Sequence, residues 1–126
     1  MKTEKNGEMN DMDDLYLKDL DQYYCTSQYY NVMGVHITDG VKYVMDSGYS
    51  WFVTDAIAVI KVGPKRVRIQ PFLTVELHLK KEKEAEMIMT DGDNHKVYEQ
   101  KYKYTDAKRE LKLYYSAGVL LLPSEN

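Results

Sequence analysis

"SWFVTDAIAVIKVGPKRVRIQPFLTVELHLK", residues 50–80, changes its apolar period halfway along, and that change decides the fold. In the first part, at 100° per residue, Phe52, Val53, Ala56, Ile57, Val59 and Ile60 gather on one side of a helix. Thr54, Ala58 and Lys61 lie opposite. Ser50 is placed to cap this helix, and Gly63-Pro64 ends it near Val62. In the last part Leu73, Val75, Leu77 and Leu79 alternate with Thr74, Glu76, His78 and Lys80. That is the period of a half-buried strand.

Helical spacing continues toward the N-terminus. Thr38 or Asp39 in "TDG" can take the N-cap role, accepting from a free N–H of the next turn. Val41, Val44 and Met45 then share a side, and Gly48 suits a left-handed C-terminal stop, so a short helix is expected over about 39–47. "MGVHI" reads as a short extended piece. "DDLYLKDLDQYY", residues 13–24, places Leu15, Tyr16 and Leu20 at helical spacing behind two acids, as a first turn prefers. Residues 1–12 are polar and acidic and are expected to be a disordered tail, with residues 13–126 forming a single domain.

Alternation continues toward the C-terminus. "AEMIMT", "KVYEQKYKYT" (with Tyr98, Tyr102 and Tyr104 on one side), "RELKLYY" and "VLLL" read as strands. "DGDN" and "SAG" are turns, and Pro123 stops the last strand. Helices first and consecutive strands after them indicate an α+β fold. The expected architecture is two or three short N-terminal helices packed on one face of a four- to five-stranded antiparallel meander.

Composition narrows the function. The chain has 126 residues and one cysteine, Cys25, so no internal disulfide forms. No apolar run approaches the roughly eighteen residues of a membrane span, and the first residues lack the apolar core of a signal peptide. A cytoplasmic protein is expected. Met1 to Asp55 carries four lysines against ten acids, and Ala56 to Asn126 carries thirteen basic residues against ten acids. The net charge of −3 argues against a nucleic-acid partner. The one compact basic run, "KVGPKRVR", reads as a solvated connector.

Candidate sites are few. Asp39 and Ser50 join Thr38 as helix caps; losing such a cap costs about 1 kcal/mol. Asp55 sits between Trp51 and Val59 at the edge of an apolar helix face, where a carboxylate needs a partner. His36, His78 and His95 are scattered with no zinc spacing, and "DGDNH" lacks the glycine and glutamate of a calcium loop, so no metal and no cofactor is expected. No glycine-rich phosphate cradle and no catalytic motif is present, so no catalytic residue is named. Twelve tyrosines stand against two phenylalanines and one tryptophan, with Tyr23, Tyr24, Tyr29 and Tyr30 clustered. Tyrosine suits a surface that is apolar on one side and hydrogen-bonding on the other.

"TDGVKYVMDSGYSWFVTDAIAVI" and "YKYTDAKRELKLYYSAGVLLLPSEN" resemble a family of small bacterial and phage proteins of unknown function. Its members carry a "TDGVKYL" element, a "YWLLD" helix start and an ending like "YTDFPL…LPSEY". The resemblance runs from about Tyr16 to the C-terminus. Ser50 departs from the tyrosine of "YW", Ala107-Lys108 from "FP", and Asn126 from the final tyrosine. The resemblance implies a complete domain and an accessory, defence or counter-defence role in a phage or other mobile element; it brings no catalytic residue.

The function expected is therefore a non-enzymatic interaction domain that binds a protein partner or itself, with a homodimer as one form and no membrane contact. The alternative is a small-molecule or nucleotide binder with a pocket between helices and sheet. The residues expected to bind are Tyr29, Tyr30, His36, Trp51 and Asp55.

Overall fold

The computed structural model describes residues 28–125. The acidic tail expected over 1–12, the helix expected over 13–24, Tyr23, Tyr24 and Cys25 lie outside the described residues. The chain begins with a hairpin, β1 (Tyr30–Val32) and β2 (Val35–Ile37), closed by Met33 and Gly34, both at positive φ. Two left-handed residues in succession make the turn whose twist matches the twist of the strands.

Thr38 then starts a helical run, α1, over residues 39–62. It consists of an α-helical piece Asp39–Val44, a π-type turn Met45–Tyr49 and a second α-helical piece Ser50–Val62. The two short helices expected here are one run of 24 residues. The reason lies at Gly48. Its φ of 103° kinks the axis and Tyr49 (φ −115°, ψ 23°) is also off helical geometry, but Ser50 resumes it, so no connector separates the pieces. Ser50 is the first residue of the second piece and not its cap, and no side chain caps that piece. A one-turn helix, α2 (Lys65–Arg68), follows Pro64. It is built from the basic run: Arg66 Nε donates to the Val97 carbonyl at 2.6 Å and Arg68 Nε to the Gly63 carbonyl at 2.8 Å.

Five strands complete the chain: β3 (Phe72–Leu79), β4 (Ala85–Thr90), β5 (Lys96–Tyr102), β6 (Leu111–Ser116) and β7 (Val119–Leu121). A 3-10 turn, Pro123–Glu125, ends the described chain. With β1 and β2 they form one seven-stranded sheet of order β1-β2-β7-β6-β3-β4-β5. The expected four- to five-stranded antiparallel meander is thus overturned. The sheet is mixed, because β2 runs parallel to β7, pairing His36 with Val119 and Ile37 with Leu120. It is not a meander either, because β6 pairs with β3 and leaves β5 at the edge.

Side-chain chemistry explains that order. β3 is buried at Leu73, Val75 and Leu77 and suits the interior of a sheet. β5 exposes Lys96, Glu99 and Lys101, which protect an edge from pairing with another chain. The face of α1 expected from its period is the face buried: Phe52, Val53, Ala56, Ile57, Val59 and Ile60. These side chains form one cluster with Leu73, Val75, Leu77, Met87, Met89, Leu113 and Leu120 of the sheet. Each fully buried aliphatic or aromatic side chain contributes roughly 1.5–3 kcal/mol.

Candidate functional site

The kink at Gly48 turns Trp51 and Asp55 toward the end of β5. Trp51 Nε1 donates to the Gly48 carbonyl at 3.1 Å, which fixes the indole beside the kink. Its ring meets Tyr102 edge-to-face with centroids 5.1 Å apart. Asp55 lies one helical turn further on, on the same side as Trp51, and its Oδ2 accepts from the Tyr102 hydroxyl at 3.0 Å. Burial, helped by the Asp55 carboxylate, pushes the Tyr102 phenol well above its ordinary value. Tyr102 therefore remains a hydrogen-bond donor.

The segment after β5 forms the opposite wall. Thr105 N donates to the Lys83 carbonyl at 3.0 Å, and Lys108 N donates to the hydroxyl of buried Tyr49 at 2.9 Å. Ala107 N donates to Thr105 Oγ1 at 3.1 Å. These bonds hold Tyr104, Thr105 and Asp106 across from α1. An open cleft of about 610 Å³ lies here, lined by Trp51, Asp55, Tyr102, Lys83, Tyr104 and Asp106. Tyr104 is 89% exposed, so its ring is available at the rim.

The residues expected to bind fall into two groups. Trp51 and Asp55 line this cleft. Tyr29, Tyr30 and His36 do not; they belong to the opposite end of the sheet, five to six strand spacings from β5, or roughly 24–29 Å. There Tyr29 and His36 make an edge-to-face ring contact with centroids 6.4 Å apart. The Tyr30 hydroxyl accepts from Gln28 Nε2 at 2.8 Å, and Lys42 Nζ sits 5.7 Å from the centre of the Tyr30 ring.

A third cluster closes the start of α1. Thr38 Oγ1 accepts from Val41 N at 3.3 Å and donates to Glu125 Oε1 at 2.6 Å. The other Glu125 oxygen accepts from Gly40 N at 3.0 Å, and Oε1 also accepts from Leu122 N at 2.9 Å. Asp39 is the first helical residue. A carboxylate from the far end of the sequence thus occupies the helix N-terminus and satisfies its free N–H groups. At the β4–β5 turn, Asp91, Asp93 and His95 bring their ligand atoms within 4.8 Å of one another. Asp91 Oδ1 is already engaged with the backbone N–H groups of Asp93 and His95, at 2.8 and 3.0 Å. These bonds, led by the one from His95, hold the Asp91 carboxyl below its ordinary range.

Sequence reasoning missed Tyr102, Tyr104, Asp106 and Lys83 as cleft residues and Glu125 as the partner of Thr38. The signal for some of them was present. Tyr102 and Tyr104 alternate on one side of the β5 pattern, and Tyr104, Thr105 and Asp106 are the "YTD" of the family ending.

The model of a family of unknown function (DUF6876) matches residues 14–126. No curated protein and no solved structure matches the chain. Among the described residues no helix is long and apolar enough to cross a membrane.

Proposed function

The chain belongs to this family of unknown function, membership brings no activity with it, and we therefore propose from its geometry that the protein is a non-enzymatic interaction domain that binds a protein partner. The cleft beside the helix kink carries this reading. It offers Trp51, Tyr102 and Tyr104 around an open hollow of about 610 Å³, with Asp55 and Asp106 among them. Tryptophan and tyrosine around a pocket are the residues on which protein interfaces concentrate their affinity. The motif resemblance supports an accessory or defence role in a phage or other mobile element as the setting.

The test is to isolate the tagged protein from its source cells, identify what accompanies it, and rebuild the complex from purified components. Tyr104→Ala is expected to weaken the rebuilt complex about tenfold, since such anchors each carry about 1–2 kcal/mol. Failure to rebuild any complex, or equal binding by Tyr104→Ala and Trp51→Ala, overturns the reading. The second reading, a small-molecule binder, is favoured by the cleft volume, which lies within the range of about 300–1,000 Å³ usual for ligand sites.

A further inference from the structure

We propose that this cleft binds a guanidinium group, a deepening that rests on the cleft being the binding surface. The reason is what Asp55 lacks. Its Oδ2 accepts one hydrogen bond, from Tyr102. Among the described residues no lysine, arginine or backbone N–H serves Asp55 besides. A half-buried carboxylate has about four acceptor positions and is poorly supplied by one phenol. Several other acids have a lysine partner: Asp46 pairs with Lys42, Glu86 with Lys80, and Glu99 with Lys96. Among the described residues Asp55 has none, although Lys83 lines the same cleft. With Asp106 as the second acid, the lining carries two carboxylates against one ammonium.

The aromatic walls select among ligands for such a site. A cation gains from the aromatic lining of Trp51, Tyr102 and Tyr104, whereas a neutral polar ligand does not, and an anion is repelled by both acids. A guanidinium is favoured over an ammonium. It is planar, stacks on aromatic rings, sheds water more readily and presents N–H groups in a fork that fits a carboxylate. The phenol of Tyr102, held protonated, takes one acceptor position of Asp55 Oδ2 and leaves the second, with both of Oδ1, for the ligand. The volume exceeds that of the headgroup alone, so a chain attached to it also fits.

Trp51 is the only tryptophan, so its fluorescence reports directly on the cleft. The experiment titrates the full chain with n-butylguanidinium, n-butylammonium and the neutral valeramide, following Trp51 emission. Saturation is expected with butylguanidinium, more weakly with butylammonium, and not with valeramide. Asp55→Asn should weaken guanidinium binding by about tenfold, as loss of a charge-assisted pair does. Lys83→Met should strengthen it a few-fold by removing a competing cation. Circular dichroism of each variant separates lost binding from lost folding, and Asp106→Asn provides a second carboxylate variant.

A short acetylated peptide with one central arginine distinguishes the sources. Tighter binding than butylguanidinium points to an arginine of a protein, and equal binding to a free organic cation; either supports the guanidinium site. Equal responses to valeramide and butylguanidinium, or unchanged binding in folded Asp55→Asn, overturn it. If the cations fail while Tyr104→Ala still weakens a rebuilt protein complex, only this inference falls. If the cations bind and no protein complex forms, only the protein-partner reading falls.

Discussion

Glu125 accepts from Thr38, Gly40 and Leu122, so its removal strands groups on two distant segments at once. Glu125→Ala is expected to lower unfolding free energy in urea by about 1–3 kcal/mol, the cost of leaving such groups unsatisfied. Gly40→Ala tests the same contact from the other side. A Cβ there would stand 2.5 Å from Leu122 Cδ1 and 2.8 Å from Glu125 Oε1 and would push the carboxylate off the helix end. Tyr102 gives a pH signature. Its folded pKa is raised above the ordinary value of 10.0, mainly by burial and then by Asp55. The stabilisation is complete below the unfolded pKa and is lost as pH rises above it toward the folded one. Thermal melts should therefore fall less steeply above about pH 10 for Tyr102→Phe than for the parent chain. Asp55 stood out in the sequence because helical period alone puts it at the edge of an apolar face. Tyr102 did not, because it lies 47 positions away and only the folded chain brings them together.

Along the elements, local period carried most of the information. The buried face of α1 and the core side of β3 follow from apolar spacing, since burial and periodicity have one cause. The kink did not follow, because a glycine with positive φ can either stop a helix or bend it, and the choice depends on what the next residues pack against. Gly48→Ala is expected to cost about 1–2 kcal/mol from the left-handed backbone alone, since nothing stands within 4 Å of the added Cβ. Its larger effect should be on the cleft, shifting the emission of Trp51. The β6–β7 turn holds the reverse case. Ala117 sits at φ 53°, so Ala117→Gly should relieve strain and raise stability by about 0.5–1 kcal/mol in denaturant titration.

Across the whole molecule, pairings between distant segments were the part the sequence did not reveal. Strand positions from Phe72 onward were readable, but β6 choosing β3 over β5, and β2 lying beside β7, depend on partners that local patterns do not name. The charges on β5 suit the edge it occupies, and the β1–β2 hairpin, too small to stand alone, leans on β7. Because β2 has β7 as its partner on the side away from β1, native-state hydrogen exchange should open β1, β2 and β7 as one unit, below the free energy of β3 and β4. Separate exchange of β2 and β7 would contradict that coupling. The β2–β7 ladder also affects how the protein is made. On the ribosome the first hairpin emerges early, yet its neighbour and the carboxylate that seals the following helix emerge only with residues 119–125. A nascent chain stalled before that point carries an unpaired strand and an unsealed helix, the form most in need of a chaperone.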